Sequence, residues 1–310
     1  MKVNNTRLMY LYEAQRCGTM NAASEALDVA PSSVTRQLAA LEKELGIALF
    51  EKGRRGIKLT EAGELACEHY RERCSHEEAF LSQLDKLKSL KTGTIKVAIG
   101  EAFLSDEFSR LISQFMADNP GITVEISIGK TNHVVELVKE DDVHFGLIFD
   151  IPRDPKIRIK LALPQPLKVI LHPSHPLIKS RIITLSEAAQ HRTALPDKTY
   201  RMRQIVHMAE DENQTFIDPE LTSNSLLLLK DYVKTGKGIS FMPEIAVKHE
   251  LLTNQLISKP TDSSLFNGTK ISVVSRLGRQ LPNSADLLMR RIQVYLNESI
   301  DVLSALNTSG

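Results

Sequence analysis

Residues 22–64 read AASEALDVAPSSVTRQLAALEKELGIALFEKGRRGIKLTEAGE, and this stretch decides the architecture of the first part of the chain. It holds two short helical patterns separated by Asp28-Val29-Ala30. The first is rich in small residues that let helices pack closely, and Asn21 just ahead of it is a good helix N-cap. The second opens on Pro31, whose fixed φ and missing N–H suit a first helical turn. Along it Val34, Leu38, Leu41 and Leu45 recur at three- and four-residue steps and make one apolar face. The opposite face offers Ser32, Ser33, Thr35, Arg36 and Gln37 near the N-terminal end. Such hydroxyl, guanidinium and amide groups bond base edges or phosphates when a helix end enters a DNA groove. A polar face alone also suits plain solvent, so the residues that follow matter. Residues 46–50 and 57–60 form two short strand patterns around a basic turn, which brings Lys52, Arg54, Arg55 and Lys58 to bear on a phosphate backbone. Upstream, Leu8, Leu11, Tyr12 and Cys17 make a further helical stripe ended by Gly18.

The same stretch resembles the N-terminal signature of LysR-type transcriptional regulators, and the resemblance extends over the rest of the chain. It implies a winged helix-turn-helix over residues 1–60 that reads a double-stranded DNA operator, with Asn21 and the five polar residues of the Pro31 helix at the interface. Relatives often carry Gln-Pro where this chain has Pro31-Ser32, so base contacts credited to that glutamine do not transfer. Arg36 does correspond, standing where relatives have the arginine of SRQ-like motifs.

Thr60 can cap a helix over residues 61–91. Its apolar positions, among them Ala62, Leu65, Ala66, Tyr70, Phe80, Leu81, Leu84 and Leu87, fall at helical spacing. So long a stripe calls for a partner helix, and a symmetric twin is the economical choice. Packing on the chain's own domains is the alternative. The resemblance implies a homo-oligomer, dimer or tetramer, joined through this helix, and RNA polymerase as a further partner. Cys67 and Cys74 on this helix lie about 10 Å apart by helical rise, beyond disulfide reach. All three cysteines precede residue 92, so the chain lacks the sensor-domain cysteine pair of the family's peroxide sensors.

From Gly93 onward strands and helices alternate. Strand patterns at 95–99, 124–128 and 143–149 enclose helical patterns at 108–116 and 134–138, a βαβαβ unit and hence a parallel sheet. A second unit follows: a strand at 167–171, helices at 185–189 and 202–209, a strand near Thr215, a helix at 226–233 and a strand at 238–242. Residues 271–274 read as a return to the first lobe, closed by a helix from about Asn283. The expected fold class is therefore α/β with an all-α-rich N-terminal domain: a winged helix-turn-helix, a long linker helix and a two-lobed, periplasmic-binding-protein-like sensor. Its first lobe is expected over 92–163 and 267–303, and its second over 164–266.

In such α/β folds ligands sit at the carboxyl ends of strands, beside helix N-termini. That rule selects Gly100, Glu101, Ala102 and Phe103 after the first strand, and Lys130, Thr131 and Asn132 after the second. Phe149 and Asp150 follow the third, and Tyr200, Ser223 and Asn224 face them from the second lobe. Any one of these residues could be an ordinary cap; convergence on one cleft is what favours an effector site. Glu101 stands where relatives commonly place a small hydroxyl residue. A carboxylate there competes with an anionic ligand for the helix end, so a small amine is expected ahead of an organic acid. Lys130 and Arg201 argue the other way, since either could pair with Glu101.

The bulk numbers limit the alternatives. At 310 residues, with 42% hydrophobic and 25% charged residues, the chain has ordinary globular composition. A net charge of +1 makes any DNA-binding surface a local feature. The polar first eighteen residues and the absence of an apolar run near the ~20 residues of a membrane span lead to the expectation of a cytoplasmic protein with no membrane partner. His172 and His175 sit beside prolines with no acidic or thiol ligand to complete a metal site. No GxSxG, Walker or GxGxxG pattern occurs, so neither an enzyme nor a cofactor is expected. A solute-binding protein or enzyme on the same two-lobed fold, with an N-terminal oligomerisation module, is the competing reading.

Overall fold

The computed structural model describes residues 3–51, 56–87 and 92–308. Lys52, Arg54 and Arg55 of the expected wing, and the last residues of the expected linker helix, lie outside them. The chain folds as two compact units: Met1–Leu81 with Gly278–Gln280, and Ser82–Leu277 with Leu281–Gly310.

In the first unit α1 spans Asn5–Cys17, α2 Met20–Ala26, α3 Pro31–Leu45 and α4 Glu61–Leu87, the last running on past the unit's edge. Asn4 caps α1 by accepting from the amides of Thr6 and Arg7. The cap of α2 is Thr19, not Asn21: its hydroxyl accepts from Ala22 N–H at 3.2 Å. Thr19 is still extended, as a cap must be, whereas Asn21 already lies inside the helix. α3 begins at Pro31 and ends at Gly46, which takes φ +69, a conformation glycine adopts without Cβ strain. Leu8 and Leu11 from α1, Ala23 from α2, and Val34, Leu38 and Leu41 from α3 close a core with Leu49 and Leu59. Of the two expected wing strands, the described residues show an antiparallel bridge, Phe50 to Leu59, with Glu51 N–H donating to Lys58 O at 2.9 Å. Thr60 caps α4 through Gly63 N–H at 3.1 Å. Gly63 is obligatory here, because a Cβ would lie 2.3 Å from the Leu49 carbonyl oxygen.

The second unit opens with β1 (Gly93–Gly100), α5 (Asp106–Asp118), β2 (Ile122–Gly129), α6 (Thr131–Lys139), β3 (Phe145–Phe149) and β4 (Ile157–Pro164). It continues through β5 (Leu167–Leu171), α7 (Leu185–Ala188), β6 (Thr193–Pro196), α8 (Arg201–Glu212), β7 (Pro219–Ser223) and α9 (Leu226–Lys234). The chain ends with β8 (Ser240–Pro243), α10 (Lys248–Leu252), β9 (Ile257–Lys259), α11 (Ser264–Asn267), β10 (Lys270–Arg276) and α12 (Asn283–Thr308). A five-stranded sheet runs β2-β1-β3-β10-β4. β1 is parallel to β2 and β3, as the crossover helices require, while β10 is antiparallel to both β3 and β4. The opposite lobe carries a three-stranded sheet, β8-β5-β9, and a parallel pair, β6-β7. The strand expected near Thr215 lies instead at Pro219–Ser223; Thr215 sits in the turn after α8, where its hydroxyl donates to Asn213 O at 3.1 Å. The sequence PELTS carries too little apolar alternation to announce itself. Among the described residues no helix is long and apolar enough to cross a membrane.

Candidate functional site

Two places gather the residues singled out by the sequence. On α3, Ser32, Thr35 and Arg36 are exposed, while Ser33 and Gln37 are half-buried. Arg36 folds back along its own helix, donating through Nε to Ser32 O at 3.2 Å and through a terminal nitrogen to Ser33 Oγ at 3.3 Å. A guanidinium has five donor hydrogens, so most remain for a base edge or phosphate. The Thr35 hydroxyl donates to Pro31 O. Gln37 is less free than its spacing implies, since its Oε1 accepts from Arg7 Nε at 3.4 Å, and Arg7 is itself held by Glu44 at 2.7 Å. Asn21 is exposed on the first turn of α2. Lys58 is committed to Glu51 at 2.8 Å, which weakens its expected claim on a phosphate.

The second place is the cleft between the lobes. Gly100, Glu101, Ala102 and Phe103 from the end of β1, Lys130 and Thr131 from the start of α6, Phe149 from β3, and Tyr200 ahead of α8 line a single cavity. Gly129, Arg201, Met202 and Leu226 complete its wall. The cavity is only about 20 Å3, the room one water molecule needs. Asp150 instead borders an adjoining hollow of about 270 Å3, with Ile205, Met208, Leu265 and Arg201, which belongs to both spaces. Asn132 points to solvent, Ser223 spends its hydroxyl on Ser225 N–H at 3.0 Å, and Asn224 contributes only its carbonyl. None of these three lines either space.

Polar ties between the lobes explain the closure. Glu101 Oε1 accepts from Leu226 N–H, the first amide of α9, at 2.9 Å and from Ser225 Oγ at 3.3 Å. Its Oε2 lies 3.1 Å from the Tyr200 hydroxyl, which is also 2.6 Å from Asn224 O. That hydroxyl has one proton and serves one acceptor at a time. Burial, then the charge of Glu101 and its hydrogen bond, push the Tyr200 hydroxyl well above the ordinary tyrosine range. Lys130 reaches across to both oxygens of Asp197, at 3.0 and 3.2 Å, touches the Thr199 hydroxyl, and lies 5.0 Å from the Tyr200 ring centroid. Asp150, at the end of β3 with φ +44, binds Arg201 through carboxylate and carbonyl at 2.8 to 3.2 Å. Positive φ in a non-glycine residue is costly and concentrates at working sites. Neither Lys130 nor Arg201 takes Glu101 as its ion-pair partner; each takes a different acid across the cleft. The aromatic faces expected to receive an amine are largely withdrawn, for Phe103 and Phe149 are both buried in the core.

Asp197, Thr199 and Ser225 also take part in these ties, and the sequence reading did not single them out. Asp197 follows β6 and so obeys the strand-end rule, but TALP is too short to read as a strand. His172 and His175 turn out to be turn-makers. His172 Nδ1 pairs with Ser174 Oγ at 2.7 Å, and the buried His175 accepts from Leu177 N–H at 3.3 Å. Burial, then the nearby His191, push the His175 pKa down. Among the described residues no three His, Cys, Asp or Glu side chains gather as a metal site.

A helix-turn-helix head joined to a two-lobed α/β clamp defines a class of ligand-binding DNA regulators. The chain belongs to the LysR family: the model of the LysR substrate binding domain matches residues 88–296, and that of the lysR-family bacterial regulatory helix-turn-helix protein matches residues 6–64. It is a LysR-type transcriptional regulator with an effector-binding domain. It is 28% identical over 232 residues to the HTH-type transcriptional activator CmpR of Synechocystis, covering 73% of this chain and 74% of that one. A full-length OxyR variant from Pseudomonas aeruginosa shares the fold at TM-score 0.66 and 19% identity, covering 94% of this chain and 95% of that one. Full-length CbnR complexed with its target DNA superposes at TM-score 0.51 and 19% identity over 94% of this chain and 99% of that one.

Proposed function

We propose that α3 reads a double-stranded operator and that a small molecule in the inter-lobe cleft modulates operator binding or promoter activation. The observation that carries this reading is the meeting of strand ends and helix starts from both lobes around Glu101, Lys130, Asp150 and Arg201. The proposed division into a head (1–60), linker helix (61–91) and two lobes follows from the same reading. The proposed DNA contacts are Asn21, Ser32, Ser33, Thr35, Arg36 and Gln37 on the helices, with Lys52, Arg54 and Arg55 on the wing. The proposed effector is a small amine, which Glu101 and Asp150 can take by exchanging partners. An organic acid must evict Glu101 from the α9 amide and is placed second. A homo-oligomer, dimer or tetramer, is proposed through α4, where Leu65, Phe80 and Leu81 are exposed while Leu84 is half-buried. RNA polymerase is proposed as a promoter-bound partner, and the cytoplasm as the location.

Titration calorimetry with short diamines and with small carboxylates, on the full chain, tests the effector. Diamine binding with no carboxylate response supports the reading; carboxylate binding to the wild type with no amine response overturns it. For the head, a mobility shift with the DNA upstream of its own gene should show a specific complex, and its absence would return the competing solute-binding reading. Sedimentation of Leu81→Asp should show smaller species, since the carboxylate would be buried unpaired in an apolar seam.

A further inference from the structure

We propose that Glu101 is a tethered ligand: its carboxylate occupies the anion seat of the opposite lobe, so the clamp closes on itself and an effector acts by evicting it. This rests on the cleft being the effector site and adds how that site is regulated. A carboxylate received by the first amide of a helix, a serine hydroxyl and a tyrosine hydroxyl has the donor set that would bind a free carboxylate ligand. Here the α9 amide and the Ser225 hydroxyl are in place, the Tyr200 hydroxyl is shared between Glu101 and Asn224 O, and the group they hold comes from the chain itself. Glu101 starts a short turn at the end of β1, whereas Leu226 and Ser225 open α9 on the other lobe, so the contact spans the cleft.

Two further ties close in the same direction, Lys130 to Asp197 and Asp150 to Arg201. The remaining cavity, about 20 Å3, has no room for an effector beside the seated carboxylate. With Glu101 seated, the ties of both lobes are satisfied by the chain's own groups. A cation that draws Glu101 away frees the α9 end and opens the clamp, the reverse of a clamp that shuts on its ligand. A small acid meets a seat already taken at an effective concentration it must exceed.

The test is chemical rescue of the full chain. Glu101→Ala empties the seat and leaves its donors intact. Acetate should then raise the melting temperature of the variant, with an affinity at least about tenfold above wild type, while equal concentrations of chloride or methylammonium do not. Tyr200→Phe in the same background should weaken the rescue. Equal acetate response in wild type and Glu101→Ala overturns the proposal, as does a folded variant with no response.

Hydrogen exchange supplies a second readout on Glu101→Gln, which keeps the side-chain size if the alanine variant does not fold. Exchange at Ser225–Leu227 should accelerate roughly five- to thirtyfold, and unchanged exchange overturns the proposal. A metabolite that stabilises wild type, Glu101→Ala and Lys130→Ala equally would sink the cleft reading while leaving the rescue result standing.

Discussion

The proposed DNA-reading face and the proposed effector cleft use the same kinds of side chain in opposite states. On α3 Ser32, Thr35 and Arg36 face solvent, and Thr35 and Arg36 are bonded within their own helix, Arg36 to Ser32 and Ser33. In the cleft, Glu101, Lys130, Asp150, Asp197, Tyr200 and Arg201 are bonded to one another across the lobes. A preformed surface binds by adding contacts, and its mutants lose what the contact was worth. A self-satisfied site binds only by exchange, so its ligand recovers just the difference between new and old partners. Operator recognition should therefore depend on single residues, and effector recognition on how firmly the clamp holds itself.

The largest expected effect tests whether the head stands on its own core. Leu38 is almost fully buried among Leu8, Leu11, Val34 and Leu41. Leu38→Ala should cost about 2–5 kcal/mol through lost transfer energy and the cavity left behind. Differential scanning calorimetry should show the head transition fall and DNA binding fail while the effector unit melts as before. A matching fall of both transitions would break the comparison.

Next comes the contact surface itself. Arg36→Ala should cost about 1–3 kcal/mol on the specific operator and clearly less on random DNA. Its core neighbours are untouched, so thermal stability should stay within about 0.5 kcal/mol of wild type. Wild-type operator affinity in this variant would move the recognition surface away from the start of α3.

The contrast also explains what was readable beforehand. The head was legible because Pro31, the three- and four-residue apolar steps and Gly46 each dictate local geometry independently of distant chain. The strand ends were legible for the same reason, through the alternation at 95–99 and 124–128 and the rule that ligands meet strand termini. Partnership across the cleft was not, because a charge pair depends on which lobe faces which. Glu101 can be placed in the cleft from sequence, but nothing local tells it from a free carboxylate, and nothing local assigns Arg201 to Asp150 rather than to Glu101. The short strands β6, β7 and β9 escaped because three to five residues carry no readable period. β4 escaped because its edge position leaves alternate residues half-exposed.

Removing one cleft tie should have a smaller effect. Arg201→Ala leaves the Asp150 carboxylate, already at a strained backbone position, without its partner. Both side chains keep about a fifth of their surface exposed, so solvent makes up part of the loss. A cost of about 1–2 kcal/mol to the effector unit is expected. If the proposed exchange mechanism holds, this variant should also bind its effector more tightly, because one competing tie is gone. Calorimetric affinity equal to wild type, with the stability loss present, would show that the tie plays no part in ligand exchange.

The smallest effect is set by pH at Asp197. The Thr199 hydroxyl, more than the opposing burial, and then Lys130 hold its carboxyl below the ordinary aspartate value. A depressed folded-state pKa gives stability that is present above the unfolded value, near 3.9, and lost as pH falls below it. Asp197 keeps 29% of its side-chain surface exposed, so solvent screening holds the contribution under about 1 kcal/mol. Lys130 stays charged throughout this range, so protonation of the acid alone ends the tie. Melting of wild type and Asp197→Asn should therefore differ near neutrality and converge as pH drops through about 4, because general acid destabilisation acts on both alike. A gap that stayed constant from pH 7 to 3 would mean that the Lys130–Asp197 tie contributes nothing electrostatic to closing the clamp, and that Thr199 alone orders this side of the cleft.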